Sequence, residues 1–411
     1  MKMKRKVFFI VTLCVTFFTS CSNDESVTPE SGQQQTAKIE LTLTGANAGT
    51  RASGGTAPSE NTDEDGNPIG EQKVNNIVVG VFDSYGNTLI IKSVTNPDVS
   101  KSASIEVPLV KGTMNGCTAV AVANVPASVV ATLNNVKIKS SFIGTIIGLS
   151  SSTASSDGEV QVSTNLPMSG NVADNANAQT FTLSPGNTTS DLSVSLVRMV
   201  SRITLTGIST NFTGTAYSGA TFKLQRVFLR DAIDGTKVTP STIISEEMSG
   251  SYIKGGGTWD NTEKKWTSDI NNYLFNVQTA GSEPAIGSSS PIPGTVPYYW
   301  FYAFANDGSA SPTAFVIQGL FDSDGDGETA APETVFYPVI VNKTQSGTTY
   351  NGDNTGTSTG SISRNQLYNL SVTIRTKGAA LPTDNIAPAA LSINISVTPW
   401  PTAIEQSVAF N

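Results

Sequence analysis

Two short segments of the chain alternate strictly between apolar and polar positions, and they lie at its two ends. Near the start, Lys38 to Thr44 sets Ile39, Leu41 and Leu43 on one face. Near the end, Leu391 to Thr398 sets Leu391, Ile393, Ile395 and Val397 on one face. A period of two marks a half-buried β-strand. Both strands adjoin connectors of turn-forming composition. Gly45 to Gly70 is rich in Gly, Asn, Asp, Thr and Pro, and Gly378 to Ala389 carries Pro382 and Pro388. Such segments are expected to be exposed and mobile. The first strand therefore stands alone between two polar flanks, residues 22–36 and 45–70, which is an odd way to begin a domain.

Between these ends the pattern predicts many short strands. They run over Val74–Phe82, Leu89–Val94, Ser104–Val110 and Cys117–Val125, then from Val194 through Leu205. Others follow at Phe222–Arg230, Tyr298–Phe304, Phe315–Phe321, Val335–Val341 and Leu367–Ile374, with a last strand around Ile404, Val408 and Phe410. One short helix is expected from Pro126 to Asn134. Residues 231–297 and 342–362 read as long Gly/Ser/Thr-rich loops. No short repeat argues for a solenoid. Short strands separated by turn residues specify an all-β sandwich architecture. A chain of 411 residues suits two such domains, with the boundary near Val197.

Composition narrows the chemistry. Ser and Thr together number 98, and only 14% of residues are charged. The net charge is −8, which argues against nucleic acid as a partner, since that needs a basic face. The chain has no histidine. Serine and cysteine triads and histidine-held metal centres are therefore excluded. Carboxylate-only catalysis survives that exclusion, but no enzyme is expected and no cofactor is required.

The N-terminus reads as an export signal. Lys2, Lys4, Arg5 and Lys6 precede an apolar run from Val7 to Phe18, too short for a membrane span. Thr19 and Ser20 then lead to Cys21. This order resembles a bacterial lipoprotein signal over residues 1–21, with Cys21 as the lipidated, palmitate-bearing residue that ties the precursor to the outer membrane. Phe18 stands where Leu is usual. Of the remaining cysteines, Cys14 lies in the signal, and Cys117 reads as a buried small hydrophobe. Arg51, in Gly49-Thr50-Arg51-Ala52-Ser53, is the only arginine between Arg5 and Arg198. In an extended loop of small residues it offers a site for an arginine-specific protease, cutting between Arg51 and Ala52.

Four further segments resemble the Bacteroidetes fimbrillins, the type V pilins. They are Leu166-Pro167-Met168-Ser169-Gly170, Leu196 to Ile203 (LVRMVSRI), Ser363 to Val372 (SRNQLYNLSV) and Ile395 to Trp400 (ISVTPW). Their order and spacing carry the resemblance from the signal to the end of the chain. It implies two transthyretin-like β-sandwiches in tandem, at 52–197 and 198–411. It also implies that residues 22–51 are removed on maturation, releasing the strand of Ile39, Leu41 and Leu43. The donor strand within 391–411, with Leu391, Ile393, Ile395 and Val397, would then fill the vacated groove of another subunit. Partners implied are identical or homologous subunits, anchor and tip subunits and a surface protease, with the receptor unspecified. The function implied is a cell-surface fimbrial shaft subunit that contributes to adhesion. A tip or accessory adhesin is one alternative, and a monomeric surface lipoprotein that binds glycans is another.

One motif suggests a ligand. Asp322-Ser323-Asp324-Gly325-Asp326-Gly327, with Glu333 at the twelfth position, has the spacing of a calcium loop. It joins two expected strands rather than helices, so an acidic hairpin turn competes with the calcium reading. Tyr298-Tyr299-Trp300-Phe301-Tyr302 could be a sugar-stacking platform, but alternation splits it between two faces, as in a core strand.

Overall fold

The computed structural model describes residues 35–44, 70–97, 103–255, 257–267, 271–278, 280–288, 299–327, 331–343, 348–350, 360–384, 391–399 and 406–407. Its elements are almost all strands, as the β-branched runs and turn residues dictate. The principal strands, in chain order, begin with β1 (Thr36–Thr44), β2 (Asn76–Phe82), β3 (Thr88–Thr95), β4 (Ala103–Pro108) and β5 (Met114–Ala123). Then come β6 (Met168–Ala173), β7 (Thr188–Ser195), β8 (Val200–Thr210) and β9 (Thr221–Arg230). After them are β10 (Tyr299–Phe304), β11 (Ala314–Asp322) and β12 (Glu333–Ile340). The last are β13 (Thr348–Tyr350), β14 (Gln366–Ile374), β15 (Leu391–Pro399) and β16 (Gln406–Ser407). A helix at Ala127–Leu133 sits where one was expected.

The largest sheet runs in the order β16-β1-β7-β6-β5-β2-β3, with β4 also on β1. A second sheet has the order β10-β8-β14-β15-β13. A third contains β9, β11 and β12, joined at its edge by Phe275–Val277. Two apolar clusters dominate the interior. One gathers Ile39, Leu41, Val79, Ile105, Val107, Leu192 and Val194, all from strands before residue 197. The other runs from Val78 and Phe142 to Ile203, Phe315, Leu370 and Ile395, drawing on both sides of that position. The described residues from 35 onward cluster as one compact unit.

The structure adds strands where the pattern predicted none, at Met168–Ala173 and, within the expected loop 342–362, at Thr348–Tyr350. Residues 231–297 are not one long loop: strands at Ala232–Lys237 and Met248–Ile253 form a small sheet with Ile146–Gly148. A hairpin pairs Trp259 with Trp266. Its two indoles stack edge-on at 5.2 Å and cover Phe228 and Phe336 on the third sheet. Asp234, Gly235 and Thr236 break the apolar pattern of Ala232–Lys237 although most of that strand is buried, and Met248–Ile253 has no fully buried residue.

Candidate assembly site

The first strand sits between two others rather than at a free edge. From Thr36 to Leu41 it runs antiparallel to β4, pairing Ala37 with Val107 and Ile39 with Ile105. Along its other edge it runs parallel to β7, pairing Leu41 with Leu192 and Leu43 with Val194. Ala37, Ile39 and Leu41 are at most 1% exposed. Alternation thus delivers its apolar face to the core while Lys38 and Glu40 stay in water. Lys38 makes a 3.6 Å surface ion pair with Glu106, a contact of little energetic weight. Without β1, the facing edges of β4 and β7 would lose a backbone partner, and Ile105, Val107, Leu192 and Val194 would lose apolar neighbours. Those four wall residues were not singled out in the sequence. The alternation of Ile105 and Val107 is visible in the sequence, but pairing across about 65 and 150 positions is not.

The last long strand is paired in full within its own chain. β15 lies antiparallel to β14, from Leu391 opposite Ile374 to Pro399 opposite Gln366, and parallel to β13. Leu391, Ile393 and Ile395 are buried at 4%, 3% and 0% exposure. Val397 falls opposite Tyr368 in this register.

Three of the sequence segments that suggested a family converge on one buried polar junction. Arg364, 5% exposed, donates to Ser169 Oγ at 3.0 Å, Val197 O at 2.5 Å, Arg198 O at 3.1 Å and Thr239 O at 3.0 Å. Arg198 in turn donates through Nε to Glu71 O at 3.0 Å. Glu71, fully buried, takes two hydrogen bonds from Arg202 at 2.7 and 2.8 Å and one from the Tyr302 hydroxyl at 2.6 Å. Burial pushes the Glu71 carboxyl above the usual carboxylate range, against the opposing pull of Arg202 and Arg198. Glu247 faces Arg364 at 3.8 Å, and burial raises it to about 7 while lowering Arg364 to about 10.

The acidic loop is arranged as a turn. The two Asp322 carboxylate oxygens accept the backbone N–H groups of Gly325 and Gly327 at 3.1 and 3.0 Å. Asp324 accepts the N–H of Asp326, and Glu333 pairs with Lys377 at 2.6 Å. Among the described residues, no three acidic or cysteine side chains converge in a way that could hold a metal. Tyr299, Phe301, Tyr302 and Phe304 are core residues, and Trp300 packs on Tyr302 at 4.9 Å. Cys117 is buried, which raises its thiol, and its S–H points to Met114 O at 3.6 Å. Cys21, Arg51, Ala52, Trp400, Ile404, Val408 and Phe410 lie outside the described residues.

This arrangement has counterparts. The family model described as major fimbrial subunit protein (FimA) matches residues 37–226, and that of the FimA4 pilin C-terminal domain matches 301–400. Together they take in well over half of the chain. The chain belongs to the fimbrillin family. A solved fimbrillin of Porphyromonas gingivalis W83 shares the fold, with a TM-score of 0.61 and 17% identity over 90% of this chain and 99% of that one. A protein of Bacteroides eggerthii DSM 20697 assigned to cell adhesion aligns with a TM-score of 0.58 and 17% identity, covering 92% and 98%. One of Parabacteroides distasonis ATCC 8503, also assigned to adhesion, gives 0.56 and 19%, covering 89% and 100%. No curated protein matches the sequence. As a fimbrillin the chain is a structural subunit of a cell-surface fimbria, and the all-β architecture fits that family.

Proposed function

We propose that this fimbrillin is a shaft subunit that polymerises by exchanging one strand for another. In this reading it is exported as a lipoprotein through Cys21 and cut between Arg51 and Ala52. The first strand then leaves, and the 391–411 segment of a neighbouring subunit takes its seat. The two-sandwich division at 52–197 and 198–411 belongs to the same proposal.

The observation that supports it is the seat of β1. An interior strand with two paired edges and a buried apolar face is joined to the rest of the chain through the segment that carries Arg51. Burying Ile39 and Leu41 contributes about 1.5–3 kcal/mol each. Backbone pairing adds about 0.5–1.5 kcal/mol net per hydrogen bond. A vacated seat of this kind is an open template for β-augmentation. While attached, β1 competes for it at an effective concentration on the order of millimolar, which blocks assembly.

The donor must leave its own sheet to act at full length, because β15 is paired along nine residues with β14. It would exchange one buried environment for another. Apolar positions at a period of two suit both seats.

Replacing the cleavage residue tests the proposal. Arg51→Ala is expected to leave full-length, lipidated monomers on the cell, and the unsubstituted protein is expected to show a mature N-terminus at Ala52. Fibres of normal length from the variant would overturn the cleavage step.

A further inference from the structure

One edge of β1 is divided between two partners. From Thr36 to Leu41 it is covered by β4. Its next two residues, Thr42 and Leu43, pair antiparallel with Ser407 and Gln406 of β16. The chain's own C-terminal segment thus takes over where β4 stops. On the opposite edge the same two residues pair with Ser193 and Val194 of β7. Thr42 and Leu43 are therefore held between the wall of the seat and the C-terminal segment. Among the described residues, β16 pairs with no strand other than β1.

From this we infer that β1 is a latch on the donor segment as well as a plug in the acceptor seat. The partner it holds is residues 406–407 of the same chain. A two-residue strand has little cohesion of its own and needs a fixed template to pair with. That template is β1, itself fixed by β4 and β7. When β1 leaves, the pairing at 406–407 loses its partner in the same event that empties the seat. One cut therefore empties the seat and frees residues 406–407 of the donor segment, while β15 has still to leave β14 to act at full length. The inference rests on strand exchange being the assembly reaction, and it adds the regulation of that exchange.

A cross-link separates the two ideas. Thr42 and Ser407 face each other across antiparallel strands, where paired Cα atoms lie about 4.5–5.5 Å apart, within disulfide range. The full-length chain carrying Thr42→Cys and Ser407→Cys is expected to form an intramolecular disulfide on mild oxidation. After arginine-specific proteolysis the fragment ending at Arg51 stays attached until reduction, and polymers form only after reduction. A folded, uncut variant that forms no disulfide overturns the latch, as do polymers from the oxidised form. If the disulfide forms but unsubstituted, cleaved protein never polymerises, the latch contact holds and strand exchange falls. Hydrogen exchange on the unsubstituted chain provides a readout that needs no variant. Of the two adjacent amides of Gln406 and Ser407, the one that donates to β1 should exchange at least about tenfold faster after cleavage, and an equal rate before and after would overturn the latch.

Discussion

At the scale of single residues, the buried junction sets what the fold tolerates. Arg364 serves acceptors on Ser169, Val197, Arg198 and Thr239, so Arg364→Ala would remove a donor from the Val197 and Arg198 carbonyls and the facing charge from buried Glu247, while Thr239 O keeps Ser169 Oγ. A loss of about 3–5 kcal/mol in unfolding free energy is expected from denaturant titration. Lysine should not rescue it, since one ammonium cannot reproduce the planar fork. Glu247 gives a pH signature. Burial raises it to about 7 from an ordinary 4.5, so the folded chain keeps a proton that the unfolded chain releases. Its contribution to stability is therefore full below about pH 4.5 and is lost as the pH rises through about 7. Arg364 and Glu246 are the charged groups around its carboxyl, while the Thr236 hydroxyl donates to its backbone carbonyl. Glu247→Gln should remove this group's share of the fall in stability between pH 4.5 and 8, at most about 1.4 kcal/mol per pH unit, and leave the share of Glu71. Parallel melting curves for the two proteins across that range would refute the assignment. The motif glycine has a reason of its own. A Cβ on Gly170 would stand 2.2 Å from Ser195 O, so no side chain fits where β6 meets the end of β7.

At the scale of elements, alternation was the readable signal and pairing was not. β1, β14 and β15 stand where period-two patterns put them, because each buries one face against a core. The strands at Met168–Ala173 and Thr188–Ser195 were missed or merged with their neighbours: Ser, Asn and Gly interrupt their apolar positions. The two alternating end strands were recognisable as a pair. That one lies between β4 and β7 while the other already belongs to its own sheet depends on contacts far apart in sequence. The acidic loop shows the same limit at shorter range. Its spacing matches a calcium loop, yet the Asp322 carboxylate is engaged by backbone N–H groups and Glu333 by Lys377. Calcium titration followed by thermal shift is expected to leave the melting temperature unchanged. A rise that saturates with calcium would show that these carboxylates turn inward to bind it.

At the scale of the whole molecule, a head-to-tail interface that does not close on itself produces a filament, and its length is set by whatever stops growth. This makes the uncut subunit informative as an additive. Suppose cleavage only empties the acceptor seat. Then Arg51→Ala protein, its seat still plugged, could push its free C-terminal segment into the open seat of a growing fibre. Having no seat to offer, it would end that fibre. If the proposed latch holds, the pairing of β16 with β1 leaves the uncut subunit no free donor, and it cannot cap. Adding Arg51→Ala protein to cleaved subunits at up to equal concentration is therefore expected to leave the distribution of fibre lengths unchanged in electron micrographs. Shortening in proportion to the added variant would mean that the C-terminal segment is free before cleavage. A variant lacking residues 400–411 as well as Arg51 is the control, because it removes β16 and leaves β15 within its sheet. It too should leave fibre lengths unchanged. If both additives are inert and cleaved subunits alone still grow, release of the donor requires release of the first strand.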